Sequence, residues 1–185
     1  MYLKSIELSG LVKGKVAVFI DAANMFYSQR TLKWHIDYKK LISYLKNNVN
    51  LVGIFYYTGL IGSLEKQQSF LKKLIYLGYT VTSKEVKFIK IPGASDIPKG
   101  NLDVELSIDA YRMKNTFDTI ILFSGDSDFA YLLDVLKQEG KNVIVVSMRG
   151  HVSKELLERA KYIDLPKWRS VIEKIKEPDK PAPEV

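Results

Sequence analysis

Three short stretches of this chain, Val16–Ile20, Ile120–Phe123 and Val143–Val146, contain no polar residue at all. A strand with one wet face alternates apolar and polar positions, so an unbroken apolar strand must be covered on both faces. Further strands are expected at 51–57 (LVGIFYY) and 79–82, with another short one over 2–8. Between the strands, apolar residues recur with helical spacing. Tyr38, Leu41, Ile42 and Leu45 form one stripe behind Asp37 as N-cap, and Phe70, Leu71, Leu74 and Ile75 a second between Ser63 and Gly78. Leu102, Leu106, Ala110 and Met113 form a third, a helix over 128–138 closes at Gly140, and Ser153 opens another through Leu156, Leu157 and Ala160. A short terminal helix is expected over 168–175. Strands alternating with helices predict a doubly wound α/β fold around a central parallel sheet.

Two of the apolar runs end in acids. Val16–Ile20 stops at Asp21, with Asn24 three residues on. Ile120–Phe123 runs into Ser124-Gly125-Asp126-Ser127-Asp128. Open α/β sheets bind ligands just beyond the carboxyl ends of their strands. Carboxylates gathered there repel one another unless a cation lies among them, which points to Mg²⁺ or Mn²⁺ and to phosphate chemistry. Asp21 also suits the N-cap of the helix that follows, and a residue at such a junction can cap and ligate at once. Asp126 and Asp128 together exceed what capping requires, and Gly125 permits a tight turn close to a phosphate. Ser124 reads equally as a ligand or water holder and as a structural hydroxyl. Asp103 opens the helix after Lys99-Gly100-Asn101; the helix dipole alone favours an acid there by about 0.3–1 kcal/mol. Asp109, with Arg112 beside it, and Asp118, Asp134 and Asp164 read as structural or surface acids.

Cysteine is absent and there are only two histidines, His35 and His151. Thiolate sites are therefore excluded, two histidines argue against an imidazole-built zinc site, and a metal held by oxygen is expected. No apolar stretch approaches the roughly 18 residues of a membrane span, and the amino terminus shows no signal-peptide core. A protein of the cytoplasm without a membrane partner is expected. The 185 residues carry a net charge of +7. A basic chain with an acid cluster is using its two signs for different purposes, cations for a phosphate backbone and acids for a metal. Lys84, Lys87, Lys90 and Lys99 with Phe88 form a basic, aromatic-interleaved arm suited to nucleic acid. The same lysines would also guard an edge strand against pairing. Arg149 and His151 follow the 143–147 strand and fall at the same rim, whereas His35 beside Trp34 reads as loop packing.

The segments KVAVFIDAANMF (15–26), KGNLDVELSIDA (99–110) and TIILFSGDSDFAYLLDVLKQEGKNVIVVS (119–147) together resemble the NYN domain family, in its bacterial LabA-like branch, a relative of PIN-type nucleases. The resemblance implies a PIN-like α/β/α sandwich at 15–165. It would be preceded by an extension at 1–14 and followed by a C-terminal helix at 166–175 and a disordered tail at 176–185. It implies a metal-dependent ribonuclease acting on single-stranded RNA and leaving 5′-phosphate and 3′-hydroxyl ends. Asp21, Asn24, Asp103, Asp126 and Asp128 match the family's motif positions, with the four aspartates as ligands for Mg²⁺ or Mn²⁺. Oligomeric state is not legible, a homodimer included. A haloacid-dehalogenase phosphatase also uses acids after strands, but its D-x-D motif fails at Asp21-Ala22-Ala23. A non-catalytic RNA-binding or regulatory module remains as the rival reading.

Overall fold

A computed structural model of the chain describes residues 8–62, 65–89 and 97–175. Six parallel strands form the central sheet: β1 (Lys15–Asp21), β2 (Asn50–Leu60), β3 (Thr80–Glu85), β6 (Thr119–Phe123), β7 (Asn142–Ser147) and β8 (Lys161–Asp164). The other two, β4 (Lys87–Ile89) and β5 (Ile97–Lys99), make a separate antiparallel pair. The sheet order is β3-β2-β1-β6-β7-β8. Counted along the chain these six strands run 3-2-1-4-5-6, the doubly wound order, and the winding reverses between β1 and β6.

Because successive side chains of a strand point to opposite faces, β1 supplies both cores. Val16, Val18 and Ile20 pack with Met25 of α1 (Ala22–Leu32), Leu41 and Leu45 of α2 (Tyr38–Asn48), Leu74 of α3 (Glu65–Leu77) and Ile172 of α7 (Arg169–Ile172). Ala17 and Phe19 pack with Leu106 and Ala110 of α4 (Asp103–Arg112), Leu133 of α5 (Ala130–Gln138) and Leu156 of α6 (Lys154–Arg159). Every residue of β6 is buried, as an unbroken apolar run requires. Asp37 caps α2 through bonds from the Lys39 and Lys40 amides. Gly78 and Gly140 close their helices at φ +99° and +75°, where a side chain would be strained.

The structure departs from expectation in several places. Of the expected 2–8 strand only Leu8 lies within the described residues, and it begins a 3-10 turn, Leu8–Gly10, with its side chain in the core. On α3 only Leu71 and Leu74 are buried, while Phe70 and Ile75 are 36% and 58% exposed. Phe70 instead leans edge-on against the rings of Tyr38 and Tyr56, 5.6 and 6.0 Å between centroids. β2 is longer than the 51–57 run and only half-buried. β8 has no counterpart among the expected strands: it is four residues long, and Ile163 is its only fully buried one. The helix at 128–138 starts instead with a 3-10 turn, Ser127–Phe129, ahead of α5. Ser63, the expected cap of α3, and the 176–185 tail lie outside the described residues.

Candidate metal centre

The acids are placed by the strand ends. Asp21 is the last residue of β1 and the N-cap of α1. Its Oδ1 accepts from the amides of Ala23 and Asn24 at 3.0 and 3.2 Å. Ile20 stands opposite Phe123 in the β1–β6 register, so the chain beyond β6 starts beside Asp21. There the buried Ser124 hydroxyl donates to Asp21 Oδ2 at 2.9 Å and accepts from the Asp126 amide at 3.2 Å. That relay ties the two strand ends together. The Ser124 hydroxyl is thus committed to positioning Asp21 and the following turn.

Asp126 caps the 3-10 turn, its Oδ1 accepting from the Asp128 amide at 3.0 Å. The close approach that Gly125 permits is made by protein rather than by a phosphate. A Cβ there would stand 2.0 Å from the His151 carbonyl oxygen and 2.8 Å from Ser147 Oγ. The Gly125 carbonyl also accepts from the Ser153 amide at 2.9 Å, so the turn is clamped against the segment after β7. His151 lies there as expected. Its ring nitrogens face Ser28 Oγ at 3.5 Å and Thr31 Oγ1 at 3.2 Å, which spends the ring on α1.

Asp103 arrives from the other direction, as the first residue of α4. No side chain caps that helix, but the Asn101 amide group donates to Asp103 Oδ2. One carboxylate oxygen from each of Asp103, Asp126 and Asp128 lies within 4.8 Å of the others. Asp21 stands outside that group of three but lines the same small cavity as Asp103. The cavity, about 20 Å³, is walled by Tyr57, Gly59, Gly100 and Asn101 and has room for about one water-sized occupant.

Electrostatics show the acids to be uncompensated. Among the described residues, none of Asp21, Asp103, Asp126 and Asp128 pairs with a lysine or arginine. Burial raises the Asp21 carboxyl, opposed by its amide and Ser124 bonds and reinforced by Asp126. Asp103 is pushed up to about 6, first by burial, then by the fields of Asp21, Asp126 and Asp128, against its bond from Asn101. Asn24 Oδ1 is buried nearby with no hydrogen-bond partner among the described residues.

These donors fit a hard divalent cation. The set is all oxygen, which suits Mg²⁺, Mn²⁺ or Ca²⁺. Ligands about 2.0–2.6 Å from one ion stand no more than roughly 4–5 Å apart, the spread that Asp103, Asp126 and Asp128 show. A buried carboxamide oxygen without a partner adds an acceptor that water or an ion could satisfy.

Several residues of the site carry no strong sequence signal. Tyr57, opposite Asp21 in the β1–β2 register, walls the cavity and donates to Asp109 at 3.0 Å. Asp109 therefore bonds Tyr57 rather than Arg112. Asn101 orients Asp103, and its place two residues before a helix-opening acid is the one signal that could have found it. Of the basic arm, Lys84 is ion-paired with Glu105 at 2.7 Å, which fastens β3 to the first turn of α4. Lys87 is exposed. Phe88 and Lys99 belong by backbone to β4 and β5, with Lys87 opposite Lys99 in register. Lys90 lies outside the described residues.

The fold and this rim define a doubly wound α/β domain with an acidic pocket at its topological switch point. Residues 15–166 match the NYN domain model, and the chain belongs to the NYN domain family, within the PIN-like nuclease superfamily. It is 36% identical over 170 residues to the Low amplitude and bright protein LabA of Synechococcus elongatus, covering 89% of this chain and 91% of that protein. It also resembles the crystal structure of a protein of unknown function from Vibrio parahaemolyticus. That match has a TM-score of 0.70 and 25% identity, covering 83% of this chain and 93% of the other. No helix among the described residues is long and apolar enough to cross a membrane.

Proposed function

We propose that this protein is a ribonuclease that hydrolyses phosphodiester bonds of single-stranded RNA with the help of Mg²⁺ or Mn²⁺. The observation that carries the reading is the convergence of Asp103, Asp126 and Asp128 within 4.8 Å with no basic partner among the described residues. A phosphodiester anion cannot approach three carboxylates unless their charge is neutralised. When bound, a divalent cation supplies Lewis-acid activation of water and charge stabilisation at the leaving oxygen.

The chain's own residues do the rest. Asp103, Asp126 and Asp128 hold the cation. Asp21, fixed by the α1 amides and by Ser124, presents its negative charge at the wall of the adjoining cavity, where it strengthens cation binding. Asn24, whose backbone amide holds Asp21, has a buried carboxamide oxygen with no partner among the described residues and is a further candidate acceptor. Asp103 ligates as the carboxylate; burial and the neighbouring acids push it up to about 6 without metal, and a cation at the site favours the ionised form. Lys87, exposed on the β4–β5 pair, is available to an anionic backbone, and such contacts position RNA without reading its bases.

The test is incubation of the purified protein with end-labelled single-stranded RNA in Mn²⁺, in Mg²⁺ and in chelator, beside Asp126→Asn. Cleavage is expected only with metal and only in the parent protein. Binding without metal-dependent products would assign the chain to the non-catalytic module instead. Full activity of the variant would remove Asp126 from the metal site.

A further inference from the structure

The acidic pocket is not the only hollow beside α1. Two others, of about 360 and 560 Å³, both include Gln29, His35 and Lys174, so they run into one another. Each falls in the range of about 300–1,000 Å³ in which molecules of drug size, a nucleotide among them, are held. The smaller hollow includes Ala22, whose two chain neighbours, Asp21 and Ala23, line the acidic pocket. The groove therefore begins one residue along the chain from the acidic pocket but across the rim from it, since Tyr56 lines the groove and Tyr57 the pocket, on opposite faces of β2.

Its lining has two halves. Phe26, in the smaller hollow, is 55% exposed, and its neighbour Tyr27 60%, so α1 turns two rings to solvent. Arg30, one turn further along α1, belongs to the larger hollow, and its guanidinium lies 5.8 Å from the Phe26 ring centroid. Lys33 and Lys174 complete the basic end, and all three cations are exposed. Among the described residues none of them meets a carboxylate. Glu173, the one acid among the described residues of the lining, is held in two bonds of 2.9 Å by Arg169. A solvent-facing ring followed by unpaired cations is the pairing used to hold single strands, bases on the ring and phosphates on the charges.

We propose that this groove holds the segment of single-stranded RNA that extends beyond the acidic pocket, with a base stacked on Phe26 and phosphates on Arg30, Lys33 and Lys174. The direction of the strand rests on the nuclease reading; the binding does not. It is separate from Lys84, Lys87 and Lys99, which lie on β3, β4 and β5. The groove also fits a single strand better than a duplex, because a stacked base must be free of its partner.

The test is fluorescence anisotropy in chelator, so that nothing is cleaved, with a labelled oligouridylate of about a dozen nucleotides, within the range of single-strand sites. Arg30→Glu/Lys33→Glu is compared with Lys72→Glu/Lys73→Glu, which makes the same charge change on exposed residues of α3. The groove variant should bind about tenfold or more weaker, with a salt slope smaller by ~1.4, at ~0.7 per phosphate contact. Phe26→Ala should weaken binding about fivefold or more. Equal losses in groove and control variants, an unchanged slope, or equal affinity for duplex RNA would overturn the proposal. If the parent fails to cleave in Mn²⁺ but the groove variants lose affinity, the nuclease reading falls and the groove stands. Metal-dependent cleavage with groove-independent binding would instead keep the nuclease and overturn the groove.

Discussion

Asp103→Asn should make the metal-free protein more stable while removing its response to metal. Asn is nearly isosteric and its carbonyl oxygen can still accept from Asn101, so the substitution removes a charge and little else. In the fold the Asp103 carboxyl is raised from 3.8 to about 6. At about 1.4 kcal/mol per pH unit that rise of about 2 corresponds to ~3 kcal/mol for a fully buried group. Asp103 is only half-buried, and solvent screening reduces the figure to ~1–1.5 kcal/mol. Because the folded-state value is raised, the stability that this group contributes is fully present below pH 3.8 and is lost as pH rises through about 6. The variant escapes that loss. Its advantage should be complete above about pH 6 and fade towards pH 3.8. For a chain of this size 1 kcal/mol moves Tm by ~2–4 °C, so thermal melts in chelator at pH 7.5 should show a gain of ~2–6 °C. Adding Mn²⁺ should raise the Tm of the parent, since a ligand bound only to the native state stabilises it, and leave the variant nearly unmoved. A variant no more stable than the parent at pH 7.5, or equally favoured at pH 4 and 7.5, would refute the claim that the acids repel one another when no metal is bound.

The remaining predictions concern how the rim is built. Ser124→Ala leaves Asp21 Oδ2 and the Asp126 amide without their shared hydroxyl, and denaturant titration should show a loss of ~1–3 kcal/mol together with weaker Mn²⁺ binding. Gly125→Ala drives a Cβ to 2.0 Å from the His151 carbonyl; a backbone neighbour cannot swing away, so a loss of at least ~1–3 kcal/mol is expected, and a Tm equal to the parent's would contradict the clamp. Lys84→Ala removes an exposed ion pair with Glu105 and should cost less than ~1 kcal/mol in the same titration.

What can be read without coordinates follows from which signals are local. The apolar runs before Asp21 and Ser124 force both strands into the sheet's interior, and an interior strand must deliver its last residue to the rim. No pairing partner has to be known for that, and the structure agrees. Asp103 is readable because a lysine- and glycine-bearing segment hands directly to a helix that begins with an acid. β8 escapes notice for the opposite reason. Lys161–Asp164 offers one buried side chain, too weak a pattern to outweigh its lysine and aspartate, and its place is set by pairing with β7. Phe70 and Ile75 look inward-facing from the sequence because the helical stripe says only which residues share a face. How much of that face reaches the sheet is decided by where α3 sits.

The cavity wall lies beyond local reasoning altogether. Tyr57 faces Asp21 only because β1 and β2 pair with one register shift, between Val16 and Ala17. Without the shift the end of β2 would meet Asp21 one residue out of step, and a one-residue slip turns every side chain to the other face of the sheet. Tyr57 would then leave the α4 side, where it bonds Asp109 and packs with Leu106. The acids are thus assembled at two levels. Their presence at the rim is written in the composition of single strands, while the oxygen spacing around the pocket depends on pairing and on contacts such as Gly125 against His151. Substitutions of the second kind, far less conspicuous than loss of an aspartate, should therefore impair metal binding while all four carboxylates are still in place.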